Sequence, residues 1–202
     1  MTRLAFFFDA AACSGCKTCQ VACKDKNDLP VGQTWRRVYE VSGGGGKKEG
    51  SVWTQDVIAD NHSLSCNHCA DPLCANNCPT RAIQKRDDGI VLIDPKSCIG
   101  CKYCSWVCPY GAPQFDSEKG VMGKCDLCAD YVDQGKNPSC VDACPMRALD
   151  FGDYDELAKK HGSSEHFFPL PEPSITDPSI VTRAHANADS GQARVANIEE
   201  VT

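Results

Sequence analysis

Apolar residues in this chain fall into short, separated runs, the longest being Leu4 to Phe8 and Ile90 to Ile93. Neither approaches the roughly 18 residues that a membrane-spanning helix requires, so no direct membrane span is expected. Runs this short, bounded by turn residues, predict β-strands. Leu4 to Phe8 reads as the first strand, leading straight to Cys13 without the small-residue cleavage site of a secretory signal. Trp35 to Val41 and Ser51 to Ala59 read as two further strands, with Gly43 to Gly46, Lys47 and Lys48 as the hairpin tip. That glycine run is a turn rather than a phosphate loop, because no helix-opening Lys-Ser or Lys-Thr follows it. Between residues 80 and 94, two β-prone segments flank Asp88-Gly89, a strong hairpin signal. Arg147 to Gly152 predicts a returning strand, and Asp153 to His161 a short helix capped by Asp155 or Asp153. From residue 167 onward the pattern fades: Pro169, Pro171, Pro173 and Pro178 interrupt a stretch with few large apolar side chains. Such a tail cannot form a core alone and is expected either to be disordered or, the favoured reading, to lie extended against a partner.

With 202 residues, 42% hydrophobic and 7% aromatic, the conventional core must be modest. Sixteen cysteines supply the alternative. They form four groups of four: Cys13, Cys16, Cys19 and Cys23; Cys66, Cys69, Cys74 and Cys78; Cys98, Cys101, Cys104 and Cys108; Cys125, Cys128, Cys140 and Cys144. The first and third groups have gaps of two, two and three residues, and the last three groups close with Pro79, Pro109 and Pro145. This is the spacing with which three thiolates hold corners of one [4Fe–4S] cube while the fourth reaches a second. The fourth cysteine is expected to start a helix, with its proline in the first turn. Zinc sites draw pairs of ligands from separated knuckles, and disulfide frameworks belong to short secreted domains, so both fit less well. Four [4Fe–4S] clusters are therefore the expected cofactors.

The expected fold class is α+β: two nested bacterial two-cluster ferredoxin-like modules, a β-hairpin insertion and an extended C-terminal tail. Residues 66–109 form the central module, 1–24 and 110–152 the outer one, 25–65 the insertion, and 153–202 the short helix and partner-binding tail. By the crossing rule, Cys66, Cys69 and Cys74 share a cube with Cys108, and Cys98, Cys101 and Cys104 share one with Cys78. Pairing the outer motifs would join Cys13, Cys16 and Cys19 with Cys144, and Cys125, Cys128 and Cys140 with Cys23. Sequential pairing, motif one with two and three with four, is the rival; the insertion between motifs one and two argues against it.

The formal charge of −6, made more negative by thiolate-bound cubes, disfavours nucleic acid as a partner. Lys17, Lys24, Arg81, Lys102, Lys124 and Arg147 sit beside the motifs, either as solvated counter-charges or as tuners of reduction potential. Among five scattered histidines only His68 lies in a cysteine loop, where a surface or hydrogen-bonding role is expected rather than ligation. Trp106 is expected to pack. No Ser-His-Asp order, carboxylate pair or nucleotide fingerprint suggests catalysis by this chain.

With these motifs placed, the chain resembles the iron–sulfur electron-transfer subunits of bacterial dimethyl sulfoxide reductases, within the four-cluster subunits that serve molybdopterin oxidoreductases. The likeness runs from about Phe7 into the tail and includes Cys13-Ser-Gly-Cys-Lys-Thr-Cys19, Ser65-Cys-Asn-His-Cys69, Cys98-Ile-Gly-Cys-Lys-Tyr-Cys104, Cys108-Pro-Tyr-Gly-Ala-Pro113 and Cys144-Pro-Met-Arg-Ala-Leu-Asp-Phe-Gly152. The resemblance implies nested cluster pairing, with the Cys13 set facing a molybdopterin catalytic subunit. It also implies a membrane anchor subunit that oxidises quinol, and electron relay in anaerobic respiration. Related nitrate reductase subunits carry Trp at the position of Cys104 and hold a three-iron cluster there, so Cys104 implies a fourth cube. The implied location is the periplasmic face of the inner membrane, after export alongside a partner with a twin-arginine signal; the cytoplasm is the alternative. Other compatible readings are a wire for a sulfur, selenium or arsenic oxyanion reductase and, further off, a free polyferredoxin or a structural zinc protein.

Overall fold

The computed structural model describes residues 2–162, 164–185 and 193–201. At its centre the apolar run Leu4–Asp9 forms the middle strand of a three-stranded sheet. Leu149–Asp153 pairs antiparallel on one side and Ile180–Arg183 parallel on the other, with Phe6 opposite both Phe151 and Ile180. This strand is covered on both faces, by the main core and by a helix, which is why it reads as unbroken apolar residues rather than an alternation. Phe6 and Phe8 face the main core, while Ala5 and Phe7 pack against Leu157 of the helix Tyr154–His161. Asp153 caps that helix, accepting hydrogen bonds from the N–H groups of Asp155 and Glu156, so of the two expected candidates it is Asp153 that serves.

A second three-stranded sheet carries the insertion. Arg37–Gly43 pairs antiparallel with Ile58–Leu64, and Val41 faces Asp60. The expected second strand, Ser51 to Ala59, is divided: Val52–Gln55 pairs with Gly46–Glu49 in a separate exposed hairpin, and only Ile58 and Ala59 belong to the main pair. The glycine run thus lies at the junction of two hairpins. Burial sets this register, because Val38, Val41, Ile58 and Leu64 are buried whereas Val52 and Trp53 are exposed.

The predicted hairpin at Asp88-Gly89 is present, Ile83–Lys85 pairing with Val91–Ile93 and Gly89 turning at φ 90°. A matching hairpin, Gln114–Asp116 with Val121–Gly123, follows the third cysteine motif. The described tail is laid over this protein's own core. Besides the strand Ile180–Arg183, Arg194–Val195 joins the edge of Arg37–Gly43, and Val201 is buried with its carbonyl accepting from Arg37, 2.8 Å away. No helix among the described residues is long and apolar enough to cross a membrane.

Candidate metal centres

Each cysteine loop bends at the same place. The residue before the second cysteine is left-handed in all four motifs: Gly15 (φ 70°), His68 (43°), Gly100 (66°) and Leu127 (60°). A left-handed residue among right-handed ones curls successive N–H groups toward a common centre and makes a concavity for an anion. Short helices then carry the following cysteines, Thr18–Lys26 holding Cys19 and Cys23, and Tyr103–Val107 holding Cys104. In the third motif the fourth cysteine closes the helix instead of opening one. Cys108 is extended at φ −82°, ψ 113°, because proline disfavours the helical region for the residue before it. Pro79, Pro109 and Pro145 open turns in which the N–H groups of Arg81, Gly111 and Arg147 donate to the carbonyls of Cys78, Cys108 and Cys144 at 3.1, 3.1 and 3.3 Å.

The sixteen thiols are free and gather in four places. Cys13 is within electrostatic range of Cys19, Cys144 and Cys16, and these four line a space of about 320 Å³. Cys23 meets Cys140 and Cys128, and Cys125 in turn meets Cys23. Cys69 and Cys74 both meet Cys66 and Cys108 around a space of about 380 Å³. Cys104 meets Cys101, Cys98 and Cys78. Each gathering takes three cysteines from one motif and the fourth from another. Neighbouring gatherings lie within electrostatic range of one another, Cys140 of Cys19 and Cys125 of Cys66, while Cys74, Cys78, Cys98 and Cys104 belong to one apolar cluster.

The donor set suits iron–sulfur clusters. Four soft thiolates per site is the ligand chemistry they take. N–H groups already point at the sulfurs, that of Leu127 at Cys125 and that of Met122 at Cys98, both at 3.4 Å. Burial pushes the Cys13 and Cys104 thiols up to about 11 and those of Cys23, Cys69 and Cys74 up to about 12, with neighbouring sulfurs adding to the effect. Thiolates at such positions need a bound metal to carry their charge. Among the described residues no three His, Cys, Asp or Glu side chains converge tightly enough to hold a single ion.

Two cations lie inside this array. Lys124, singled out from its sequence position, is 3% exposed; Arg36, which was not, is 2% exposed. Arg36 just precedes the strand Arg37–Gly43, and Arg36, Arg37 and Val38 are all buried, so no alternation in the sequence marked it. The other basic residues singled out beside the motifs lie outward: Arg81, Lys102 and Arg147 are exposed, and Lys17 and Lys24 partly so. His68 is buried, its Nδ1 accepting from the Val91 N–H at 3.0 Å, which is the hydrogen-bonding role and not a surface one. Trp106, expected to pack, is 81% exposed and meets only the edge of Tyr103 among ring contacts of the described residues; the short helix Tyr103–Val107 turns its Cys104 face inward and leaves Trp106 outside.

A family model described as a 4Fe-4S dicluster domain matches residues 58–154. The chain is 51% identical over 187 residues to the B component of anaerobic dimethyl sulfoxide reductase from Escherichia coli strain K12, covering 93% of this chain and 91% of that protein. It is 49% identical over 203 residues, 99% of both, to the probable anaerobic dimethyl sulfoxide reductase chain YnfG of the same strain. The B component of sulfite dehydrogenase from Allochromatium vinosum is 39% identical over 177 residues, 76% of this chain and 70% of that protein. The chain thus belongs to the family of anaerobic dimethyl sulfoxide reductase B components: it is a non-catalytic iron–sulfur subunit of an oxidoreductase complex, with cysteines for four [4Fe–4S] clusters.

Proposed function

We propose that this subunit relays electrons from a quinol-oxidising membrane subunit to a molybdopterin catalytic subunit that reduces dimethyl sulfoxide or a related S- or N-oxide. The observation that carries this reading is the succession of thiol gatherings, each close to the next: the Cys13 and Cys23 sets are within electrostatic range through Cys19 and Cys140, the Cys23 and Cys66 sets through Cys125 and Cys66, and Cys74 of the Cys66 set packs in one cluster with cysteines of the Cys98 set. When bound, the clusters supply one-electron carriers, and the protein's own residues hold them in file, exclude water and fix the charge around each. Cys13, Cys16, Cys19 and Cys144 would hold the first cluster; Cys23, Cys125, Cys128 and Cys140 the second; Cys66, Cys69, Cys74 and Cys108 the third; Cys78, Cys98, Cys101 and Cys104 the fourth.

The two ends of this file reach the surface, since Cys16 and Cys101 are the exposed thiols, and electrons would enter and leave there. The first cluster would face the catalytic subunit and the fourth the membrane subunit. The complex would stand on the periplasmic face of the inner membrane, the tail contributing to a subunit interface. The likeness to a sulfite dehydrogenase component favours one second reading, a wire for another molybdopterin enzyme with the opposite direction of flow.

Anaerobic iron and sulfide analysis of the purified protein, joined to a redox-titrated EPR spectrum, is the test. About sixteen irons, four for each of four clusters, with interacting signals are expected; zinc, or iron for two clusters only, overturns the reading. Cys104→Ser then separates the wire from a bystander. It should abolish quinol-driven turnover of the complex while sparing dye-driven reduction of the catalytic subunit, and retained quinol activity would sink the linear path.

A further inference from the structure

The guanidinium of Arg36 lies between the first and second thiol sets. Cys140, Cys125 and Cys23 of one and Cys19 of the other lie within electrostatic range of it, and the Ser63 hydroxyl to which it donates lies 3.2 Å from the Cys19 sulfur. The ammonium of Lys124 lies between the second and third sets. Cys66 and Cys74 of one and Cys125 of the other lie within electrostatic range of it; it lines the space shared by Cys66, Cys69, Cys74 and Cys108 and donates to the Cys125 carbonyl at 3.0 Å. Both cations are as buried as the apolar core.

Burying a cation costs several kcal/mol unless an anion offsets it. Among the described residues no carboxylate lies within ion-pairing distance of either side chain. The partners each does have are neutral apart from sulfur. Arg36 donates to the Ser63 carbonyl and to the hydroxyls of Ser63 and Ser65, and it stacks on Phe6 with its guanidinium carbon 4.5 Å from the ring centre. Lys124 donates to the carbonyls of Val91 and Cys125. The anions that justify two buried cations are therefore the sulfurs on either side. Among the described residues no such cation appears between the third and fourth sets; Lys102, near the fourth, is exposed and lies over the Phe115 ring.

A fixed positive charge in a low-dielectric interior favours the more negative, reduced state of a neighbouring cluster. We infer that Arg36 and Lys124 are inter-cluster cations that raise reduction potentials in pairs, Arg36 for the first and second clusters and Lys124 for the second and third, so that the second is lifted by both and the fourth by neither. This inference rests on the four-cluster reading above. Its consequence is an uneven potential along the file, set by two side chains that bind no iron.

The experiment is a redox-titrated EPR comparison of the holo-complex carrying Arg36→Gln, Arg36→Lys, Lys124→Gln or Lys124→Arg, with iron counted in each. The cluster lost in Cys104→Ser identifies the fourth signal, which serves as the internal control. Arg36→Gln should lower two potentials and Lys124→Gln two, one of them shared, with the fourth unmoved and the charge-keeping variants near the native values. If a Gln variant loses iron while its charge-keeping counterpart retains it, the requirement for positive charge is upheld. Unmoved potentials, equal shifts in Gln and charge-keeping variants, a matching shift of the fourth cluster, or iron loss in both variants at a site would overturn the inference. A native complex with about sixteen irons beside unshifted Gln variants defeats the inference alone; a native protein without iron defeats the underlying reading.

Discussion

Arg36 and Ser63 are joined twice: the guanidinium donates to the Ser63 carbonyl at 3.1 Å and to its hydroxyl at 3.2 Å, and that hydroxyl lies 3.2 Å from the Cys19 sulfur. With its lone pairs facing Arg36, the hydroxyl is left to donate its proton to the sulfur. Ser63 thus extends the field of Arg36 to the first cluster site. Ser63→Ala should lower the potential of one cluster and leave the fourth unchanged, because a hydrogen bond to sulfur favours the reduced state. It should also cost about 1–3 kcal/mol, since a buried donor on Arg36 loses its partner. Redox-titrated EPR and denaturant unfolding of the same sample check both.

His62 is 1% exposed and neither ring nitrogen has a hydrogen-bond partner among the described residues. Burial, with the nearby His185 adding to it, pulls its pKa down from 6.5 to about 4. Between those values the unfolded polypeptide takes up a proton that the folded protein refuses, so stability falls as pH drops from about 6.5 toward 4, by up to about 1.4 kcal/mol per unit. His62→Phe should flatten that limb while leaving the behaviour above pH 7 alone. Unfolding midpoints measured from about pH 5 to about pH 7.5, spanning the ordinary histidine range, would show it, and an unchanged slope would contradict it.

Gly15 and Gly100 occupy the same place in two motifs with φ of 70° and 66°, yet a Cβ would meet different neighbours. At Gly100 it would stand 2.4 Å from the backbone oxygen of Gly120, whereas at Gly15 it would stand 2.3 Å from the side-chain oxygen of Asn61. Both alanine variants bear the left-handed penalty of about 1 kcal/mol. Only Gly100→Ala must also move backbone, so it should lose iron and stability well beyond Gly15→Ala. Equal losses would mean that Asn61 cannot swing aside.

Ser179, in the tail, accepts from Arg3 and donates to the carbonyl of His68, each at 2.8 Å. Its N–H donates to the carbonyl of Asn67, and the Asp177 carbonyl accepts from the N–H of Ala70. The tail therefore pins the loop that carries Cys66 and Cys69. Ser179→Ala should destabilise the protein by about 1–3 kcal/mol and speed amide exchange in residues 66–70 ahead of the other cysteine loops. Uniform acceleration across all four loops would deny the tail this local role.

What was legible in the sequence was what neighbours along the chain decide. Cysteine spacing, the hairpin turn at Asp88-Gly89, the cap at Asp153 and the apolar run at Leu4 to Phe8 act over a few residues, and each appears where local chemistry puts it. Proline's effect was local too but read in the wrong sense: it ends the helix at Cys108 instead of beginning one. The division of Ser51 to Ala59 between two hairpins depended on which side chains found the core, as did the exposure of Trp106.

The tail and the buried charges belonged to tertiary structure alone. Ile180–Arg183 has the pattern of a strand only beside Leu4–Asp9, which supplies its hydrogen bonds from the far end of the sequence. Arg36 and Lys124 are two among the 21 Lys and Arg residues, and composition marks all of them as surface. What separates these two is the company of sulfurs from distant motifs, gathered only when the polypeptide folds back on itself. Local rules set the loops that can hold clusters; long-range packing decides which loops share one and which charge lies between them.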